Sequence, residues 1–272
     1  MTPVRRIACG FGSLALLLAT GAGPVVSAAA PAISHAPRIA LAVPGTTHGH
    51  GGSSSTTSPF GWASSNWSGY ALSTSVSGTY TQITGSWIVP AVAPSRGSTY
   101  SSSWIGIDGF NNSNLIQTGT EQDYYQGSAH YDAWWEILPA AETVITGDPV
   151  NPGDAMTASV AKNANGTWTI TISDVTAGWS FSTTQTYTGP GTSAEWIQEA
   201  PTIGGHVATL ANYGFTIFNP GTVNGTNPGL VTSDGGVMIQ KRTQVSTPSL
   251  PDSDTDGFKV QYGSSSPAAP GS

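Results

Sequence analysis

The stretch Met156-Thr157-Ala158-Ser159-Val160-Ala161-Lys162-Asn163-Ala164-Asn165-Gly166-Thr167-Trp168-Thr169-Ile170-Thr171-Ile172 decides the fold class. On both sides of Asn165-Gly166 apolar residues alternate with small polar ones, the period of a half-buried strand and not of a helix. Asn-Gly between two such runs marks a hairpin turn. Similar runs occur at 80–89, 101–107, 129–137, 179–187, 193–200, 211–218, 237–241 and 258–262, and no segment sustains a helical period. Many short strands in one domain predict an all-β protein, an antiparallel two-sheet β-sandwich or jelly roll.

Only 8% of the 272 residues are charged. All 15 acidic residues lie at or after Asp108, whereas only Arg96, Lys162, Lys241, Arg242 and Lys259 among the bases lie beyond residue 60, so this part carries 5 − 15 = −10. With no basic stripe to neutralise phosphates, a nucleic-acid partner is not expected. In acid the carboxylates lose their charge and few cations remain to repel one another, a balance that reads either as suited to acidic surroundings or as ordinary extracellular composition.

Residues 1–30 have the plan of a signal peptide: Arg5-Arg6, an apolar run too short to span a bilayer, then Ser27-Ala28-Ala29-Ala30. A secreted protein with no membrane attachment after cleavage is expected. Cys9, the single cysteine, would leave with that peptide, so no disulfide is expected. Residues 31–63 read as a propeptide or flexible linker, in which His35, His48 and His50 would give a pH response. Residues 64–263 form the main domain and 264–272 a low-complexity, disordered tail. A monomer is expected.

In Glu195-Trp196-Ile197-Gln198-Glu199 a strand puts both glutamates on one face with Ile197, costly unless the acids are paired or used. In Tyr131-Asp132-Ala133-Trp134-Trp135-Glu136-Ile137, Asp132, Trp134 and Glu136 share a face, either a cleft floor or an outward polar face. Gln117, between Leu115-Ile116 and Thr118-Gly119, reads either as the end of an apolar run closing a backbone hydrogen bond at a turn or as an amide donor to an oxyanion. The domain has His130 and His206, without metal-ligand spacing, and no nucleophile elbow or phosphate loop. No metal and no cofactor is expected. The stretch from Leu138-Pro139 to Pro152-Gly153 reads as a flap over the cleft or an ordinary connection.

Five blocks in order resemble the glutamic peptidases, or eqolisins. They are Ser65-Asn66-Trp67-Ser68-Gly69-Tyr70, Trp104-Ile105-Gly106-Ile107-Asp108-Gly109, Leu115-Ile116-Gln117-Thr118-Gly119, Tyr131-Asp132-Ala133-Trp134-Trp135-Glu136 and Ala194-Glu195-Trp196-Ile197-Gln198-Glu199. The resemblance implies a concanavalin-like sandwich and an acid-acting, non-metal, pepstatin-insensitive endopeptidase with protein or peptide substrates. It implies Gln117 and Glu199 as the catalytic pair, with Trp104, Asp108 and Glu136 lining or orienting the site. Glu121 stands where fungal members carry aspartate. Trp67 and Trp134 are further candidates to hold peptide. The alternatives are a glycoside hydrolase or a carbohydrate-binding module of the same architecture. For the former, Glu195 and Glu199 lie ~13 Å apart along an extended strand, beyond the usual carboxylate separations.

Overall fold

The hairpin around Asn165-Gly166 forms, with Met156 paired to Asp174 and Lys162 to Trp168. Its turn runs through 163–167, closed by Gly166 N–H donating to Asn163 O, and Gly166 takes the left-handed φ of 85° that the turn requires. The structure, a computed structural model, describes residues 30–42 and 58–272. Most of the expected signal peptide, with His48 and His50, lies outside them. The described residues from Ala32 onward form one compact unit.

In chain order the strands are β1 Ile33–Ser34, β2 Ala40–Leu41, β3 Trp62–Ser64, β4 Trp67–Ser73, β5 Gln82–Ile88, β6 Ser102–Ile107, β7 Ile116–Tyr125, β8 Ser128–Ile137, β9 Thr143–Ile145 and β10 Ala155–Lys162. There follow β11 Trp168–Asp174, β12 Trp179–Gln185, β13 Ser193–Glu199, β14 Thr202–Ile203, β15 His206–Val207, β16 Phe215–Val223, β17 Gly235–Gln240, β18 Thr243–Pro248 and β19 Phe258–Tyr262. The main ladder runs β12-β11-β10-β5-β16-β19-β18-β17-β4-β13-β6-β7-β8-β9. Its strand pairs are antiparallel, and β3 joins β17 in parallel at its side. The ladder folds back so that β5, β10 and β11 lie over β6 and β7, as a two-layer sandwich requires.

Between the layers, Ile105, Ile116, Ala133 and Trp196 meet Ile83, Trp87, Met156, Val160, Ile170 and Ile172 in one buried cluster. Two indoles tie the layers together. Trp196 Nε1–H donates to Thr84 O at 2.8 Å, and Trp87 Nε1–H to Thr120 Oγ1 at 3.0 Å. Gly85 makes room for the first, since a Cβ there would sit 2.9 Å from the Trp196 ring.

The structure departs from the expected elements in several places. The run at 211–218 begins as a strand only at Phe215, because Gly214, at φ 66°, closes a turn onto Asn212 Oδ1. Gln117 does not precede a turn but lies near the start of the ten-residue β7. The tail expected to be disordered lies on the domain, held where Ser266 Oγ–H donates to Pro248 O and Asn219 Nδ2–H to Gly271 O. Its Gly, Ser and Pro residues hide this, because the contacts run mainly through backbone carbonyls. Residues 32–41, read as propeptide or flexible linker, are seated as well, with β1 on β14 and β2 on β3.

Trp196 is 1% exposed, and it fills the core while its N–H is satisfied across the sandwich. Trp196→Ala should cost about 3–5 kcal/mol of unfolding free energy, read as a lowered denaturant midpoint.

Candidate active site

Strand pairing places three rows on one face. The first is Glu199, Ser102, Glu121 and Asp132; the second is Ile197, Trp104, Gly119 and Trp134; the third is Glu195, Gly106, Gln117 and Glu136. Alternation sends Trp196, Ile105 and Ala133 to the core side. The floor of the face is indole. Trp67 meets Trp104 edge to face at 4.9 Å, and both cluster with Trp134, Leu115 and Ile197. Gly119 is obligatory beneath them, because a Cβ there would come within 2.4 Å of Trp104 Cβ and 2.5 Å of Ser103 O.

Glu199 Oε2 accepts Trp104 Nε1–H at 2.8 Å. Gln117 Nε2–H donates to Glu136 Oε2 at 2.7 Å, while Gln117 Oε1 is buried without a partner. Glu136 therefore fixes which way the amide points. Gln117 stands two rows from Glu199 across β6, and one residue spans the gap. The His35 amide N–H lies 3.3 and 3.4 Å from the two Glu136 oxygens, and His35 Nδ1 is 2.9 Å from Glu199 Oε2.

Asp108 does not face this pair. Its carboxylate accepts from Tyr187 Oη–H at 2.7 Å, Gly191 N–H at 2.8 Å and Thr192 N–H at 2.9 Å. It thus anchors the loop that feeds β13, at a left-handed φ of 72°. Glu121 Oε1 lies 3.1 Å from His35 Nε2, and Trp134 stacks on the imidazole at 3.7 Å.

Three participants escaped the sequence reading of the site. His35 was weighed only as a propeptide residue. Asn66, within a quoted block, gives Nδ2–H to Ala36 O and Pro37 O and takes Ile39 N–H at 2.8 Å. Glu142, in the stretch considered as a flap, reaches His35 Nε2 at 3.1 Å. Leu138, Pro139, Ala140 and Ala141 of that stretch line a cavity of about 460 Å³ beside His35, whereas β9 ties its middle to β8.

His35, Glu121 and Glu142 bring donor atoms within 4.8 Å of one another, as do Asp252, Asp254 and Asp256. In the first group the imidazole is already paired with the acids. In the second, Asp252 Oδ1 closes its own turn by accepting Asp256 N–H and Gly257 N–H.

Burial dominates the acids' electrostatics. It pushes Glu121 up to about 8, against the opposing pull of His35. Burial, then Glu142, raises Asp132 to about 7, and burial also raises Glu136 to about 7. Burial lifts Glu195 well above its ordinary value, against the opposing pull of the Ser193 hydroxyl. For His35, burial pulls downward, but Glu199, Glu121 and Glu142 outweigh it and hold the imidazolium well above 6.5.

A model of the Peptidase A4 family matches residues 65–262, so sandwich and acid-lined face together are those of a peptidase. The chain belongs to the Peptidase A4 family, the glutamic peptidases. It is 29% identical over 201 residues to Aspergillopepsin-2 of Aspergillus niger, covering 64% of this chain and 70% of that protein. Its fold is similar to scytalido-glutamic peptidase solved with a transition state analog inhibitor, with a TM-score of 0.62 and 22% identity over 73% of this chain and 98% of that one. Aspergilloglutamic peptidase from Aspergillus niger aligns with a TM-score of 0.51 and 25% identity, covering 60% of this chain and 99% of that one. Peptidase membership sets aside the sugar-cleaving and sugar-binding alternatives.

Carboxyls raised in the folded state hold protons that the unfolded chain releases at about pH 4. Their stabilisation is therefore full below about pH 4 and is lost as pH rises towards 7–8. The denaturant midpoint should be higher at pH 4 than at pH 8, and Glu195→Gln should flatten that slope by raising the alkaline end.

Proposed function

We propose that this chain is a secreted, acid-acting endopeptidase in which Glu199 activates water and Gln117 stabilises the oxyanion. The observation that carries the reading is that a single extended residue, His35, touches Glu199 with its ring and Glu136, the partner of Gln117, with its backbone. A substrate peptide in the same groove would bring one carbonyl within reach of both groups.

Glu199 as carboxylate takes a proton from water, and the oxygen bonds to the scissile carbonyl carbon. The carbonyl oxygen becomes an oxyanion that accepts from Gln117 Nε2. Glu136 holds one of the two amide hydrogens and so aims the other. Protonated Glu199 then gives its proton to the amide nitrogen as the C–N bond breaks, leaving a carboxyl and an amine. The electrophile is an amide, which does not titrate, so it serves at any acidity. Trp104 steadies Glu199 by its N–H, and Asp108 acts at one remove through the loop before β13. Every step uses side chains of this chain alone, with no metal or cofactor assigned. Export follows from the expected leader, and no helix among the described residues is long and apolar enough to cross a membrane.

The test is digestion of denatured protein at about pH 3–4 with and without pepstatin, which should have little effect. Glu199→Gln should lower kcat by roughly 10²–10⁴-fold with the fold intact. Gln117→Ala should lower it by roughly 10²–10³-fold. Parental turnover in Glu199→Gln would remove Glu199 from the reaction.

A further inference from the structure

We propose that the loop joining β18 to β19 holds a structural calcium ion on Asp252, Asp254 and Asp256. The loop lies outside the reaction, since the cleft is built on β13, β6, β7 and β8. The sequence reading expected no metal, and the ion assigned here takes no part in the chemistry. The loop reads Asp252-Ser253-Asp254-Thr255-Asp256-Gly257. Carboxylates at the first, third and fifth positions with glycine at the sixth have the spacing of a calcium loop. In the folded chain one oxygen from each aspartate lies within 4.8 Å of the other two. Glycine at the sixth position is required by contact, because a Cβ on Gly257 would stand 2.4 Å from Asp252 Oδ2 and 2.6 Å from Asn219 Cγ.

What marks the cluster as a site is an acceptor with nothing to accept. Asp252 is 5% exposed. Its Oδ1 takes Asp256 N–H and Gly257 N–H, both at 3.1 Å, whereas its Oδ2 is buried with no hydrogen-bond partner. Asp256 Oδ1 is likewise buried without one. Among the described residues no Lys, Arg or His nitrogen lies within 4.0 Å of the three carboxylates. Lys259, two residues beyond the loop, puts its ammonium 4.9 Å over the Phe215 ring instead. Three negative charges thus converge with no cation to offset them, and a buried carboxylate oxygen left unpaired is costly.

The donors are all oxygen, which selects calcium or magnesium over zinc and copper. Calcium is the better fit, because it accepts irregular carboxylate sets, whereas magnesium demands a near-octahedral shell and holds its water. The twelfth residue of the loop, where calcium loops of this spacing carry a bidentate glutamate, is Gly263. The affinity therefore belongs to the range of extracellular modules, a Kd of about 10⁻⁴–10⁻³ M. The ion would act as a clamp. Asp252 N–H donates to Gly257 O, Gly221 N–H to Asp256 O and Leu230 N–H to Thr255 O, each at 2.9 Å. The loop so ties the β18–β19 hairpin to β16 and to the 227–230 stretch, and Phe258 just beyond it stacks on Phe218 in the core.

The experiment titrates calcium chloride into the chelator-stripped protein at about pH 6.5, by calorimetry and by denaturant unfolding. One ion should bind, and 10 mM calcium should lower the unfolding equilibrium constant by about ten- to a hundredfold. Magnesium chloride at the same concentration should shift it much less. The double variant Asp254→Ala, Asp256→Ala spares the Asp252 carboxylate that closes the turn, and it should lose both the heat and the shift. If it does not fold, Asp254→Ala alone, at an exposed side chain, should bind about tenfold more weakly. Glu142→Gln, in the other acid cluster, should keep the parental shift. No binding by the parent, an equal shift from magnesium, or an undiminished calcium shift in the aspartate variants overturns the proposal. A shift lost in Glu142→Gln but kept in the double variant moves the ion to His35, Glu121 and Glu142 and overturns it as well.

Discussion

The active face depends on how acids are kept inside it. Glu199, Glu121 and Asp132 in one row and Glu195 and Glu136 in another put five carboxyls on the same side of β13, β7 and β8, four of them buried and Asp132 half-buried. Five ionised carboxylates there would be prohibitively costly. Protons and partners meet that cost: raised proton affinity at Glu121, Asp132, Glu136 and Glu195, and N–H donors from Trp104 and Gln117. The indole floor is part of the same solution. It excludes water beside the acids while offering ring N–H groups where hydroxyls would invite hydration.

The strands legible in the sequence are those with one dry and one wet face. In β10 and β11 burial alternates residue by residue, so the period survives in the sequence. In β7 it does not. The first eight residues, Ile116-Gln117-Thr118-Gly119-Thr120-Glu121-Gln122-Asp123, are buried on both faces, one against the other layer and one against the cleft. The cleft side carries polar residues and, at Gly119, glycine for clearance, which erases the alternation. The acid-lined face is hardest to read as structure because polar side chains and glycine replace the alternation there.

The sharing of a face by Glu195 and Glu199, and by Asp132, Trp134 and Glu136, followed from strand period alone. Which residues meet across the fold did not. His35 touches Glu121, Glu136, Glu142 and Glu199, and the last is 164 residues away. Its neighbours in sequence are small or apolar and carry no local period. Asp108 shows the converse limit: it belongs to a recognisable block, yet its carboxylate is spent on backbone N–H groups of the 191–192 loop.

An amide and a carboxylate suit this setting better than two carboxylates would. In a pair of acids sharing one proton, each titrates against the other, and acidity changes both partners together. Here Gln117 keeps its donors whatever the surrounding acids do, and only Glu136, which orients it, changes charge. Protonation of Glu136 leaves an oxygen able to accept the same hydrogen bond, so the amide stays aimed while the surrounding negative charge falls. Less negative charge near the cleft favours a developing oxyanion. The uptake of protons that steadies the fold in acid thus acts in the same direction as the chemistry assigned to Gln117 and Glu199.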